Sequence, residues 1–165
     1  MLSDIRNGTH CFVDANIFYY HLVNTPPLSD DCSDFLRRIE RREVIGSTST
    51  VSIAEATHKV MLADAVSTHG LDRKGLIWRL KREPQLLAAL SEHRAVVTTV
   101  RALDTQIELI TPDLLEAAAG LSAQLCLLTN DALTIATMRK LGLTNLATND
   151  DDFDPIAGIT VWKPR

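Results

Sequence analysis

Four carboxylates in this chain stand where apolar runs give out. Asp14 ends the run in "CFVDANIF", and Glu55 lies within "TSTVSIAEATHKV". Asp131 opens "NDALTIATMRKLG", and Asp150 follows the short run "NLAT" as the first acid of "DDDFDP". Converging acids repel one another, and one or more must stay protonated unless a cation joins them. Oxygen donors with no His or Cys beside them suit Mg²⁺ or Mn²⁺ rather than Zn²⁺. The chemistry on offer is therefore that of a hard divalent ion.

Each acid also has a purely structural use. Asp14 can cap the next helix, and Ser52-x-x-Glu55 matches a capping box. Asp131 suits a helix N-terminus through the macrodipole. Residues 150–154 read as a solvated turn. A calcium loop fails, because counting from Asp150 puts Pro155 and Val161 where Gly and Glu are needed. A dehalogenase-type phosphatase wants a second Asp two residues after Asp14, where Asn16 stands. Four acids at one edge of a fold are harder to explain structurally than any one of them alone.

The elements that must position these acids follow from periodicity and punctuation. Residues 10–13 read as a strand, with a helix from about Ile17. "NTPPLSDD" reads as a loop because of Pro26 and Pro27. "DDCSDFLRRIERRE" is predicted as an amphipathic helix, with Phe35, Leu36 and Ile39 inward and Arg37, Arg38, Arg41 and Arg42 outward. "VIGSTS" is a second strand and "STVSIAEATHKVMLAD" a helix. "PQLLAALSEHRAVVTTVRAL" is predicted helical from Pro84. "QIELIT" is a third strand, followed by a helix over "PDLLEAAAGLSAQL" with Leu114, Leu115, Ala118, Leu121 and Leu125 on one face. "NDALTIATMRKLG" is apolar nearly all round, which predicts a buried helix ending at Gly142. "NLAT" and "GITVWK" are the last strands. Alternating strands and helices predict an α/β fold with a mainly parallel sheet, and 165 residues suit a single domain over 1–165.

Composition narrows the function classes. Apolar residues are 45% of the chain, and no run is long enough to span a bilayer. "MLSDIRNGTH" lacks the apolar stretch of a signal peptide, which makes a cytoplasmic location the expectation. Three cysteines at wide spacing exclude a disulfide framework and a cysteine-rich zinc site. Cys11 and Cys126 are expected to pack in the core. With 21 acids against 17 bases, net charge −4, the balance argues weakly against a broad nucleic-acid-binding surface and leaves room for a local basic patch or a metal-bridged contact to phosphate.

The stretches "CFVDANIF", "TSTVSIAEATHKV", "LLTNDALTIATMRKLG" and "LATNDDDFDPIAGITVW" together resemble the PIN domain, and particularly the VapC-like toxins of toxin–antitoxin pairs. They occur in the family's order and span nearly the whole chain. The resemblance implies a five-stranded sheet of order 3-2-1-4-5 flanked by helices. It implies a Mg²⁺-dependent endoribonuclease, with Mn²⁺ as the alternative ion. Asp14, Glu55, Asp131 and Asp150 match the family's acidic quartet, and Asp152 a further acid. Asn16 and Thr148 match the polar positions that support them. An RNA substrate, a cognate antitoxin and a homodimer are the implied partners, with the apolar side chains of residues 31–42 and 50–63 as the contact surface. Asp151 and Asp154 are expected to serve the turn, and His10 and His58 the structure.

Outside the acids, Arg37, Arg38, Arg41, Arg42, Arg73, Lys74, Lys81 and Arg82 are the candidates to meet a substrate's charge. Trp78 in "GLIWRL" can stack on a base, but a place in the core is the expectation. Two other functions use the same residues: a small-molecule phosphohydrolase, and a catalytically idle module that binds RNA or a partner.

Overall fold

Cys11, Phe12 and Val13 are wholly buried, as the central strand of a sheet covered on both faces requires. The computed structural model describes all 165 residues. It runs β1 (His10–Val13), α1 (Ala15–Val23), α2 (Leu28–Glu40), β2 (Ile45–Ser49), α3 (Thr50–Ser67), α4 (Leu76–Arg82), α5 (Pro84–Ala89), α6 (Ala95–Ala102), β3 (Gln106–Glu108), α7 (Pro112–Leu125), α8 (Thr129–Leu141), β4 (Asn145–Ala147) and β5 (Thr160–Trp162). The five strands form one sheet in the order β3-β2-β1-β4-β5. Every neighbouring pair is parallel. The fold and strand order agree with the sequence reading.

The alternation of β1 divides the core. Cys11 and Val13 face one side and pack with Phe18, Phe35, Ile39, Val60 and Val100 from α1, α2, α3 and α6. Phe12 faces the other side with Leu146 and packs against Leu114, Leu121, Ile135 and Met138 of α7 and α8. All seven residues from Ala132 to Met138 are buried, so the nearly all-apolar sequence of α8 reports its place. Gly142 ends it with φ at 66°.

Four local readings are corrected. The stretch read as a loop already turns into α2 at Leu28. The helix predicted from Pro84 breaks: α5 stops at Ala89, Leu90 is extended, and a short turn precedes α6. The cause is Asp64 on α3, whose buried Oδ2 accepts the Ser91 and Glu92 amides at 2.9 and 3.2 Å. Two free amide donors require a helix to stop, and a buried acid in turn requires such donors. Cys126 is exposed rather than packed, at the left-handed position that ends α7. Leu115 is 49% exposed, so the buried stripe of α7 is Leu114, Ala118 and Leu121. No helix is long and apolar enough to cross a membrane.

Candidate active site

Val13 on β1 stands opposite Ala147 on β4. Asp14 and Thr148 therefore leave the sheet side by side. This is where strand order reverses, and such a point opens a crevice at the carboxyl edge. The ladder extends one step further, with the Asp14 amide donating to the Ala147 carbonyl at 3.0 Å and the Thr148 amide to the Trp162 carbonyl at 3.0 Å.

The Asp14 carboxylate is held from three sides. Its Oδ1 accepts the Ala15 amide at 2.7 Å, which caps α1. Its Oδ2 accepts Asn16 Nδ2 at 2.6 Å and the Thr148 hydroxyl at 2.8 Å. The Thr148 oxygen in turn accepts Asn16 Nδ2 at 2.8 Å and the Asp150 amide at 3.1 Å. Asn16 Oδ1 accepts the Asn149 amide at 3.1 Å. One hydroxyl hydrogen, two hydroxyl lone pairs and both amide hydrogens are thus committed. Asn16 and Thr148 are both buried, so neither can trade these bonds for water. Capping and site-building are the same act at Asp14.

Glu55 arrives from α3. The N-cap of that helix is Ser49, whose Oγ accepts the Ser52 amide at 3.0 Å. The capping box read at Ser52 and Glu55 is therefore not formed, and Glu55 sits in the second turn with its carboxylate free to look outward. Its Oε1 pairs with Lys59 Nζ at 2.7 Å, and its Oε2 accepts Asn130 Nδ2 at 3.0 Å. Asn130 is the residue before Asp131 in the first turn of α8, so this bond ties α3 to the helix bearing the third acid. Asp150 caps the turn over 151–153, its Oδ1 accepting the Asp152 amide at 3.0 Å.

The rest of the acidic turn is explained by Lys163, which follows β5. Its ammonium lies 2.5 Å from Asp151 and 2.6 Å from Asp154. Those two acids serve the turn, as expected. Among the basic residues, Arg38 is not a free surface charge. It donates to the carbonyls of Leu2 and Ile5 and approaches Glu43 at 3.6 Å. Arg37 pairs with Asp34, and Arg42 with Asp104 at 2.6 Å. His10 bonds Ser47 Oγ at 2.7 Å, a structural contact, and His58 is exposed.

The charges of the four acids are felt in common. Burial pushes the Asp14 carboxyl above its ordinary range; the hydrogen bonds from Thr148 and Ala15 oppose this, and the Glu55 charge adds to it. Asp131 is pushed up to about 6 by burial and then by the charges of Asp150, Asp14, Asp152 and Glu55. Burial draws the Lys59 ammonium down, but Glu55, Asp14 and Asp150 outweigh it and hold the ammonium above its usual value. Lys59 and Asn130 were not singled out from the sequence. The four-residue spacing of Glu55 and Lys59 carries a readable helical-pair signal; the Asn130 contact carries none.

The acids do not form a closed ligand set: no three His, Cys, Asp or Glu side chains stand ready around one point. The donor chemistry nevertheless fits a hard divalent cation, because every nearby donor is oxygen and the buried Asp14 carboxylate has no positive partner of its own. The main competitor is Lys59 at Glu55, a half-exposed pair worth about 0.3–1 kcal/mol. A divalent ion held by several carboxylates exceeds that.

A pH prediction follows. Asp131 has an ordinary value of 3.8 when unfolded and about 6 when folded. Between the two, the folded state binds more protons, so stability is highest below about pH 4 for this group and is lost as pH rises to 6. The full shift corresponds to at most about 3 kcal/mol, and solvent screening at this partly exposed group brings it nearer 1. In EDTA, the wild-type Tm should fall relative to Asp131→Asn by roughly 2–4 °C between pH 4 and pH 7. A difference that stays constant across that range would mean that the charges do not meet at Asp131.

The PIN domain model matches residues 11–159. Ribonuclease VapC2 of Methanocaldococcus jannaschii is 23% identical over 144 residues, covering 86% of this chain and 85% of that protein. A toxin–antitoxin complex from Klebsiella pneumoniae has a chain of similar fold, with TM-score 0.55 and 17% identity over 91% of this chain and 95% of that one. VapBC2 from Rickettsia felis, solved with a DNA fragment from its promoter, gives TM-score 0.58 and 13% identity over 94% of this chain and 98% of that one. The match spans β1 through the loop before β5 and so takes in all four acids: the chain belongs to the PIN domain family.

Proposed function

We propose that this chain is a divalent-metal-dependent endoribonuclease that hydrolyses phosphodiester bonds in RNA, and that it is the toxin of a toxin–antitoxin pair. The observation that carries the reading is the placement of the acids at the carboxyl edge, with Asp14 and Asp150 joined through Thr148 and Glu55 tied through Asn130 to the start of the helix bearing Asp131. Asp14, Glu55, Asp131 and Asp150 come from four separate segments, yet their charges act on one another. The 23% identity to a ribonuclease over most of both chains supports it.

In this reading Asp14, Glu55, Asp131 and Asp150 hold the ion or ions, with Asp152 as an auxiliary. Bound Mg²⁺ or Mn²⁺ supplies positive charge to the scissile phosphate and lowers the pKa of a coordinated water. Asn16 and Thr148 keep the Asp14 carboxylate in one orientation. Lys59 pairs with Glu55 at 2.7 Å, and its ammonium would be free to meet the phosphate charge if Glu55 held an ion.

The test is incubation with total RNA in Mg²⁺ and in EDTA, with cut sites mapped. Discrete cuts in Mg²⁺ and none in EDTA are expected. Hydrolysis of a generic aryl phosphate with RNA left intact would replace the reading by a small-molecule phosphohydrolase.

Within the acidic turn, Asp150→Ala should lower cleavage far more than Asp151→Ala, with Asp152→Ala between them. Asp151 already has Lys163 as its partner, and exposed pairs of that kind are worth about 0–1 kcal/mol. Greater loss at Asp151 than at Asp150 would show that the turn is phased wrongly in this reading.

An antitoxin and a second copy of the chain complete the proposal. The apolar residues of α2 do not supply that surface, because Cys32, Phe35, Leu36 and Ile39 are all buried in the core. Exposed apolar side chains stand instead at Leu109, Leu115 and Leu128, among others.

A further inference from the structure

We infer that the outer face of α4, with Trp78, Lys81 and Arg82 and the preceding Arg73 and Lys74, is a binding surface for single-stranded RNA. The inference rests on the ribonuclease reading and adds where the substrate lies beyond the acids.

The chain as a whole is acidic, yet residues 73–82 hold Arg73, Lys74, Arg79, Lys81 and Arg82 with no acid among them. Of these five only Arg79 is paired, with Glu83 at 3.0 Å. The flanking Asp72 carboxylate is turned to the Lys74 amide at 2.9 Å. On α2 and the turn after it the balance is the reverse: Arg37, Arg38 and Arg42 each face an acid, and Arg41 alone has none. Two basic surfaces were open to the substrate on sequence grounds, and the one whose charge is left unspent is on α4.

The same face carries an aromatic ring. Leu76 and Leu80 point inward, packing with Ala65, Leu71 and Leu90 and against Met61 and Leu62 of α3. That i, i+4 stripe puts Trp78 on the opposite side, 62% exposed, with the Arg82 guanidinium 4.5 Å from the ring centroid. Arg82 covers one face of the ring; a ring whose remaining surface is left in water near unpaired cations is an arrangement on which an unpaired base stacks while its phosphates meet the cations. A base within a duplex has no free face to offer.

The placement relates this surface to the acids. Glu55 and Lys59 lie in the first half of α3, and α4 is seated on its second half. Glu55 and Ala65 are ten residues apart, about 15 Å along the helix axis. Trp78 stands on the far side of α4, about a further helix diameter of 10 Å away, so the strand that joins one phosphate at the acids to a base at Trp78 is longer than the axial separation alone requires.

The experiment measures binding of a fluorescein-labelled, unstructured single-stranded RNA in EDTA, with cleavage in Mg²⁺ followed in parallel. Trp78→Ala should weaken binding roughly 5- to 100-fold, and Trp78→Phe should restore most of it. Trp78→Ala should melt like wild type, since the side chain is exposed. The double variant Lys74→Gln, Lys81→Gln should flatten the dependence of log affinity on log salt by about 1.4, the value for two lost phosphate contacts on a single strand. Binding should be several-fold weaker to a duplex of the same sequence. If the wild type neither binds nor cuts RNA, the ribonuclease reading itself fails. If it cuts RNA but the variants bind with wild-type affinity and salt slope, the α4 surface is not an RNA site and a protein partner takes its place.

Discussion

Asp14→Asn is expected to abolish RNA cleavage, with a loss of at least about a hundredfold. Removing one carboxylate from a metal site costs several kcal/mol of transition-state stabilisation, and each 1.4 kcal/mol is tenfold in rate. The fold should survive, because Asn matches Asp in volume and is itself a good N-cap for α1. Burial and the Glu55 charge both disfavour the Asp14 carboxylate in the metal-free fold; removing the charge relieves that, while setting an amide NH2 against the Asn16 donor opposes it, so the Tm in EDTA should stay near that of wild type and the Mg²⁺ shift is the readout. Mg²⁺ binds only the folded state and should raise the wild-type Tm, while leaving that of Asp14→Asn nearly unmoved. Four melting curves at pH 7.5, two proteins with EDTA and with Mg²⁺, decide the matter. Equal Mg²⁺ shifts in both proteins, or cleavage above about a tenth of wild type, would mean that Asp14 is not the centre of an ion site.

Asn16→Leu should have the largest effect on stability. Leu shares the branching of Asn but is bulkier, so the change creates no cavity and overpacking adds to the loss of the polar contacts. It leaves the Asn149 amide without its acceptor and removes one donor each from Asp14 and Thr148. Buried polar groups stranded in this way cost about 1–3 kcal/mol each. The expected total of about 3 kcal/mol corresponds to a Tm lower by roughly 6–12 °C for a chain of this size. Cleavage should fall at least about tenfold, because the Asp14 carboxylate loses its anchor. Asn16→Leu with an unchanged Tm would show that β1 and β4 are held together without this bridge.

Much of the site was readable before the fold was known, for a simple reason. A strand buried on both faces is a short apolar run, and the first acid after it must lie at the carboxyl edge. That argument alone puts Asp14 and Asp150 at the same end of the sheet. The pairing of β1 with β4, which makes them neighbours, has no such local signal. It joins residues more than a hundred positions apart, and before the structure it rested on a resemblance. The Asn130 contact to Glu55 and the Lys163 contacts to Asp151 and Asp154 belong to the same class.

The sequence by itself determined the α/β class, the buried strand over residues 11–13, the buried middle of α8 with its Gly142 stop, and Asp14 and Asp150 beyond the ends of strands. Periodicity over a dozen residues reports whether one face or all faces meet the core. Only the tertiary structure decided which acids of the turn look inward, which arginines are spent on neighbours, where the helix after Pro84 breaks, and that Trp78 faces water. In the seven residues of α4, Leu76 and Leu80 compete with Ile77 and Trp78 for the inward side, and so short a window does not fix the phase. The choice falls to the surface α4 rests on, the small and aliphatic face of α3 around Ala65, which the leucines fill. The break at Leu90 is matched in the same way by Asp64, a buried acid 26 residues upstream whose Oδ2 takes up the two amides that a helix stopping there sets free.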